Sequence, residues 1–234
     1  MASIKDAFEE SFQDDKSILK YIVFAIPVYY CFYLFSQGNW TIFWPVASLT
    51  FLLLYGILIE CTTNVRNGKN IVLPSFNIFI IVFNGIKGTI ALGPSIAINC
   101  WLASLINQKL LPTFLTDTNI LMVIQGIIWA LFGSFILTGY LCYAKNFKIA
   151  DAYNLKTIYT SCVGILVSVL FMLPQVLLAN IILLVPVLYV VWVFLGLPHP
   201  VAEFYCCMVV IFNLALCGNY LAQVDYENIC TKLD

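Results

Sequence analysis

The only histidine in the sequence, His199, is followed four residues later by Glu203. That spacing places both side chains on one face of a helix. Such a pair could respond to protons or supply half of a metal site. One imidazole and one carboxylate are too few for a closed zinc site, however. Pro198 and Pro200 favour a turn at the outer membrane interface, with His199 in water.

Two charged residues lie at the ends of neighbouring apolar runs. Glu60 closes one run and Lys87 opens the next. Because an unpaired charge in hydrocarbon costs several kcal/mol, one interpretation is an ion pair near the cytoplasmic interface. The other is that each side chain extends separately to the lipid headgroups.

Motifs for catalysis are missing from the sequence. It contains no GxGxxG, GxxxxGK[ST], GxSxG or HExxH pattern, which are the local signatures of nucleotide binding and of common hydrolases. The nine cysteines form no CxxC pair, so we interpret them as small apolar residues. We therefore expect no enzyme activity, no catalytic residue, and no cofactor or metal.

The composition places the chain in a membrane. Of 234 residues, 62% are hydrophobic and only 10% are charged, far too few charges to cover a water-facing surface. Eleven Lys and Arg against twelve Asp and Glu leave no basic face for nucleic acid. The expected partner is the lipid bilayer, together with a second membrane protein or another copy of the chain.

Apolar runs long enough to span a bilayer are predicted at about residues 18–36, 41–60, 86–107 and 119–143. From Thr157 to Ala222 the chain is apolar almost throughout. That length fits two long spans or three ordinary ones, so the total is six or seven.

The basic residues predict the orientation, because short cytoplasmic loops collect Lys and Arg. Nine of the eleven basic residues fall on one side of the predicted spans, and we expect the amino terminus to be cytoplasmic. The nine are Lys5, Lys16, Lys20, Arg66, Lys69, Lys87, Lys145, Lys148 and Lys156.

An internal pattern favours six spans. Residues 1–60, 73–143 and 151–222 each have an aromatic residue (Phe8, Phe76 or Tyr153) in the stretch that leads into the first span. Each also carries a proline inside the first span and closes the second span on a glycine. A threefold repeat of helical hairpins would leave both termini inside. The alternative is that proline and glycine are simply frequent in membrane helices.

Several short motifs carry a family resemblance: Leu73-Pro74-Ser75-Phe76, Asn84-Gly85-Ile86-Lys87, Ala150-Asp151-Ala152-Tyr153 and Phe204-Tyr205. With them the chain resembles a prokaryotic family of multi-spanning membrane proteins defined only as a domain of unknown function, DUF4013. Members often have a glutamate after the proline, where this chain has Ser75. The resemblance implies a protein of a prokaryotic cytoplasmic membrane and no particular reaction.

The predicted fold is an all-α, polytopic bundle, a single transmembrane domain with short amphipathic helices at the interface. In the fourth span, small residues recur every four positions, a spacing that lets helices approach closely. This stripe would form either a dimer seam or an internal packing surface. Its members are Gly126, Ala130, Ser134 and Thr138. The amphipathic segments are marked by Ile4, Phe8 and Phe12, and by Phe76, Phe79, Ile80 and Phe83.

Two functions fit these features. Repeats, prolines inside spans and polar residues at membrane depth favour a transporter or a transport-accessory subunit. The alternative is a structural or assembly protein that packs through small-residue seams and has neither a pore nor catalysis. The polar residues in question are Asn99, Gln125, Asn180 and Asn213.

Overall fold

Long helices make up nearly all of the computed structural model, which describes residues 3–69, 71–114, 118–196 and 199–229. There is no β-strand among these residues. The helices are α1 (Ile4–Glu10), α2 (Ser17–Ser36), α3 (Trp40–Arg66), α4 (Ile78–Leu105), α5 (Leu111–Phe114), α6 (Thr118–Asn146), α7 (Leu155–Leu195) and α8 (Pro200–Asn228). A π-helical segment, Ile106–Leu110, continues α4, and a 3-10 helix, Ile149–Tyr153, precedes α7.

Six helices in the described part of the chain are long and apolar enough to cross a membrane. The prediction of six spans is therefore confirmed, and the chain is a polytopic helical membrane protein. The spans are Ser17–Ser36, Trp40–Arg66, Ile78–Leu110, Ile120–Lys145, Leu155–Leu195 and Pro200–Asp225.

Two details of the predicted layout were wrong. The segment around Phe79 and Phe83 is no separate interfacial helix but forms the first turns of α4, because Gly85, which precedes the predicted span, stays helical where α4 packs closely against Leu52. The threefold repeat predicts an apolar connection between two spans over Asn180–Leu197, but this stretch continues α7 as far as Leu195. Membrane helices tolerate a proline such as Pro186. The helix ends only at Gly196, whose φ of 76° is a left-handed backbone conformation.

The chain divides into two compact units. The first comprises Met1–Ile86 and Phe171–Gln223, and the second comprises Lys87–Leu170 and Val224–Asp234. Helices α4, α7 and α8 each contribute one part to each unit. These boundaries do not coincide with the three predicted repeats, which stay a prediction.

In the first unit, glycines let α3 lie close to α4 and α8. A Cβ added to Gly56 would overlap the carbonyl oxygen of Ile81, and one added to Gly85 would overlap that of Leu52. A Cβ added to Gly218 would lie 2.7 Å from the Cβ of Cys61. Helices α4 and α8 thus contact α3 backbone to backbone, a mode of packing that membrane helices use because lipid provides no hydrophobic driving force.

Aromatic residues join α1 to the first unit. The ring of Phe212 on α8 stacks on Phe12, with centroids 5.4 Å apart, and meets the edge of Phe8 at 5.3 Å. Tyr21 on α2 completes the cluster and donates its hydroxyl to the carbonyl of Ser11 at 2.9 Å. The amino-terminal segment is therefore packed against protein on its aromatic side.

In the second unit, the carboxyl half of α6 packs against the 3-10 helix. A Cβ added to Gly139 would lie 3.0 Å from the carbonyl oxygen of Ala152. Leu141, Tyr143 and Ile165 are fully buried here. The core of this unit thus lies at the end of α6 and the beginning of α7.

Candidate functional site

His199 and Glu203 lie at the beginning of α8. The Nδ1 atom of His199 accepts a hydrogen bond from the Val201 backbone N–H at 3.2 Å, and the Glu203 backbone N–H donates to the His199 carbonyl at 3.1 Å. The imidazole therefore caps the helix, satisfying a backbone donor that has no partner within the first turn. Within the described residues, no three His, Cys, Asp or Glu side chains come together as a group that could hold a metal ion.

Glu60 is half-buried on α3 and accepts a hydrogen bond from the Asn84 side-chain amide at 3.0 Å. Sequence reasoning overlooked Asn84 as this partner. Lys87 lies three residues further along α4 and is exposed. Its pairing with Glu60 stays a prediction.

The small-residue stripe on α6 is buried only towards its carboxyl end. Ser134 and Thr138 are buried, Ala130 is half-buried and Gly126 is exposed. An added Cβ at Gly126 would meet nothing within 4 Å. The stripe thus has a packed half and an open half, and a dimer seam along it stays a prediction.

We expect Ser134→Leu to destabilise the protein by about 1–3 kcal/mol, because a bulky side chain at a packed position forces its neighbours apart. Ala130→Leu should have a smaller effect, and Gly126→Leu, at the open end, should have almost none. Thermal unfolding in detergent measures this order. Equal stability of all three variants would mean that no part of the stripe is packed.

An ion pair between a buried lysine and a half-buried aspartate, not anticipated from the sequence, lies at the beginning of α2. The Lys20 ammonium is 2.6 Å from the Asp14 carboxylate, and their side chains are only 7% and 14% exposed. Lys20 also donates to the carbonyl of Leu73 at 3.3 Å. The hydrogen bond from Lys20 lowers the pKa of the Asp14 carboxyl, and the backbone N–H of Lys16 adds to this effect. One ammonium thus ties the amino-terminal segment to the connection between α3 and α4.

Polar side chains near the end of α8 hold α1 in place. The Asn219 amide donates to the Glu10 carboxylate at 2.7 Å, and the Ser3 backbone N–H donates to Gln223 Oε1 at 2.7 Å. Gln223 in turn donates to Asn219 Oδ1 at 3.1 Å. The four-residue spacing of Asn219 and Gln223 in an apolar span is the signal that could have identified this contact.

Polar residues at membrane depth donate to acceptors within the protein. Asn180 and Asn213 form a reciprocal amide pair between α7 and α8, with N···O distances of 2.9 and 2.8 Å. Gln125 donates to the Asn107 carbonyl at 3.1 Å. Asn99 donates to the Ser95 carbonyl at 2.8 Å. Their amide N–H groups therefore serve contacts between or within helices.

The Asn180–Asn213 pair gives a measurable coupling energy. We expect Asn180→Leu and Asn213→Leu each to destabilise the protein, because each leaves one amide without its partner in an apolar layer. The double variant should recover part of the loss, with a coupling of about 0.6 kcal/mol, the average for hydrogen bonds between membrane helices, and at most about 1.7 kcal/mol. A double-mutant cycle on unfolding in detergent measures it. Strictly additive losses would contradict the pairing.

The fold and these contacts define the class of the protein, a polytopic α-helical membrane protein whose spans are joined by close glycine contacts and amide hydrogen bonds. No family model matches the chain, and no curated protein or solved structure matches it. The resemblance to DUF4013 therefore stays a prediction.

Proposed function

We propose that this chain is a structural or assembly protein of a prokaryotic cytoplasmic membrane, with no pore and no catalysis. The observation that supports this function best is the reciprocal amide pair of Asn180 and Asn213. A transport route needs polar groups that face water or a substrate. Here the two side-chain amides hydrogen-bond to each other and so join two packed helices.

The close helix contacts support the same proposal. Gly56, Gly85 and Gly218 let α3, α4 and α8 meet at their backbones, and α2 is tied to the loop before α4 by Lys20. Such contacts favour a single arrangement of helices over the alternating arrangements of a transporter. A rigid apolar surface of this kind suits a subunit that packs against another membrane protein.

Water access to the spans tests the proposal. Cys162 and Cys207 are buried in α7 and α8, and we expect a membrane-impermeant maleimide to leave both unlabelled in protein reconstituted in vesicles. The same reagent should label both after unfolding in SDS, which is the control for thiol reactivity. Labelling of either cysteine in the folded protein would show a water-filled route and would favour transport instead.

The proposed orientation has both termini in the cytoplasm, in keeping with the positions of the basic residues. A reporter fused after Asp234 should be active only as a cytoplasmic reporter. Activity of a periplasmic reporter at the same position would overturn this topology.

A further inference from the structure

A half-open cavity of about 270 Å³ lies in the second unit, bordered by α4, α6, the 3-10 helix and the beginning of α7. Its polar lining residues are Ser95, Asn99, Tyr153 and Tyr159, and its apolar ones are Phe135, Ala152, Leu155 and Ile158. No Asp, Glu, Lys, Arg or His is among the described residues that line the cavity. The cavity therefore suits a neutral ligand with an apolar body and a small polar group.

The hydrogen bonds of Asn99 define what that polar group must be. Its amide nitrogen donates to both the carbonyl and the hydroxyl oxygen of Ser95, at 2.8 and 3.3 Å. The Ser95 hydroxyl is an acceptor in this contact, so its own proton can be donated elsewhere. The Asn99 carbonyl oxygen can still accept. Within the described part of the chain, the Ser95 hydroxyl donates no hydrogen bond and the Asn99 side-chain oxygen accepts none.

The two groups that can still form a hydrogen bond, the Ser95 hydroxyl proton and the Asn99 carbonyl oxygen, are one helical turn apart on the same span. Both residues belong to the membrane-spanning segment Ile78–Leu110, where a polar atom without a partner costs free energy. A ligand hydroxyl satisfies both positions, because it accepts from Ser95 while it donates to Asn99. Charged headgroups would find no counter-charge in this cavity.

We propose that this cavity binds the hydroxyl end of a neutral lipid, with the rest of the molecule extending into the bilayer. Long-chain alcohols and diacylglycerols share this chemistry. This binding site does not depend on the proposed structural or assembly function, because a packed protein and a transporter could each carry it.

Photolabelling tests the site in the full-length protein. The probe is a hexadecanol with a diazirine in its chain, at low abundance in phosphatidylcholine nanodiscs. We expect labelling to concentrate on the segment from Tyr153 to Tyr159. Excess unlabelled hexadecanol should compete, whereas hexadecane and hexadecanoate should not. Competition by dioleoylglycerol as well would assign the site to diacylglycerols, and its failure to compete would assign it to single-chain alcohols.

Two variants isolate the hydrogen bonds. Asn99→Leu removes the acceptor and Ser95→Ala removes the donor, and we expect each to lower labelling of this segment about fivefold to tenfold. Ser48→Ala is the matched control, because Ser48 is likewise a serine on a membrane-spanning helix but lies outside the cavity, and its hydroxyl already donates to the Trp44 carbonyl at 2.9 Å. It should leave labelling unchanged.

Equal competition by hexadecane, or unchanged labelling in both variants, would overturn the proposal. If Asn99→Leu does not fold, two measurements still test the proposal. They are the labelling of the Ser95→Ala variant and the competition by unlabelled hexadecanol in the unaltered protein. Labelling spread evenly over the spans would also overturn it, because it would show an alcohol dissolved in the bilayer and not bound.

Discussion

Gly56→Ala should lower the stability of the protein by at least about 2 kcal/mol, although alanine is the better helix former by about 1 kcal/mol. The added methyl group would occupy the position of the Ile81 carbonyl oxygen. This oxygen belongs to the α4 backbone, so relief requires the two helices to move apart. Gly85→Ala should behave in the same way, because its methyl group would overlap the Leu52 carbonyl oxygen.

Gly126→Ala is the matched control for this experiment. Gly126 lies in a membrane helix, but an added Cβ there meets nothing within 4 Å. We expect its stability to be unchanged or slightly increased. Thermal unfolding in one detergent compares the three variants. A Gly56→Ala protein as stable as the Gly126→Ala protein would contradict the close contact between α3 and α4.

Lys20→Met should destabilise the protein by about 1–3 kcal/mol, since it leaves the half-buried Asp14 carboxylate without its counter-charge. The double variant Asp14→Asn with Lys20→Met should recover a substantial part of this loss, because it removes both charges. Lys5→Met is the control. Lys5 is 82% exposed and lies 3.9 Å from Glu9, a surface pair whose loss should change stability by less than about 1 kcal/mol. Unfolding in detergent measures all three.

The Asp14–Lys20 pair also predicts a pH dependence. The pKa of Asp14 is lower in the folded protein than its usual value of 3.8. The resulting stabilisation is therefore present above pH 3.8 and is lost as the pH falls through the lowered pKa. We expect the stability advantage of the wild type over the double variant to shrink in this acidic range. An advantage independent of pH would show that the ion pair does not provide it.

Hydropathy predicted most of the fold. The first span was expected at 18–36 and is Ser17–Ser36, and the fourth was expected at 119–143 and is α6, Thr118–Asn146. These spans are bounded by polar residues, which hydropathy detects directly. The length of α7 was not predicted, because a proline removes a backbone hydrogen bond and usually ends or kinks a helix, whereas Pro186 lies inside α7.

The polar contacts were less predictable than the spans. Lys20 was interpreted only as a basic residue flanking a span, and nothing in its spacing from Asp14 marks an ion pair, since the two lie on different elements. The Asn180–Asn213 pair joins residues far apart in the chain. Hydropathy identified Asn180 and Asn213 as polar residues at membrane depth. It could not show that they pair with each other, because the pairing depends on how α7 and α8 pack.

Helix α7 has a consequence for the membrane around it. Its 41 residues extend over about 61 Å at 1.5 Å per residue, twice the roughly 30 Å thickness of a bilayer's hydrocarbon core. A straight helix of this length, tilted by about 40°, the steepest tilt common in membrane proteins, would still extend about 47 Å along the bilayer normal. This hydrophobic mismatch makes the protein sensitive to acyl-chain length. Thicker bilayers cover more of α7, so the chain should partition into the thicker regions of a membrane.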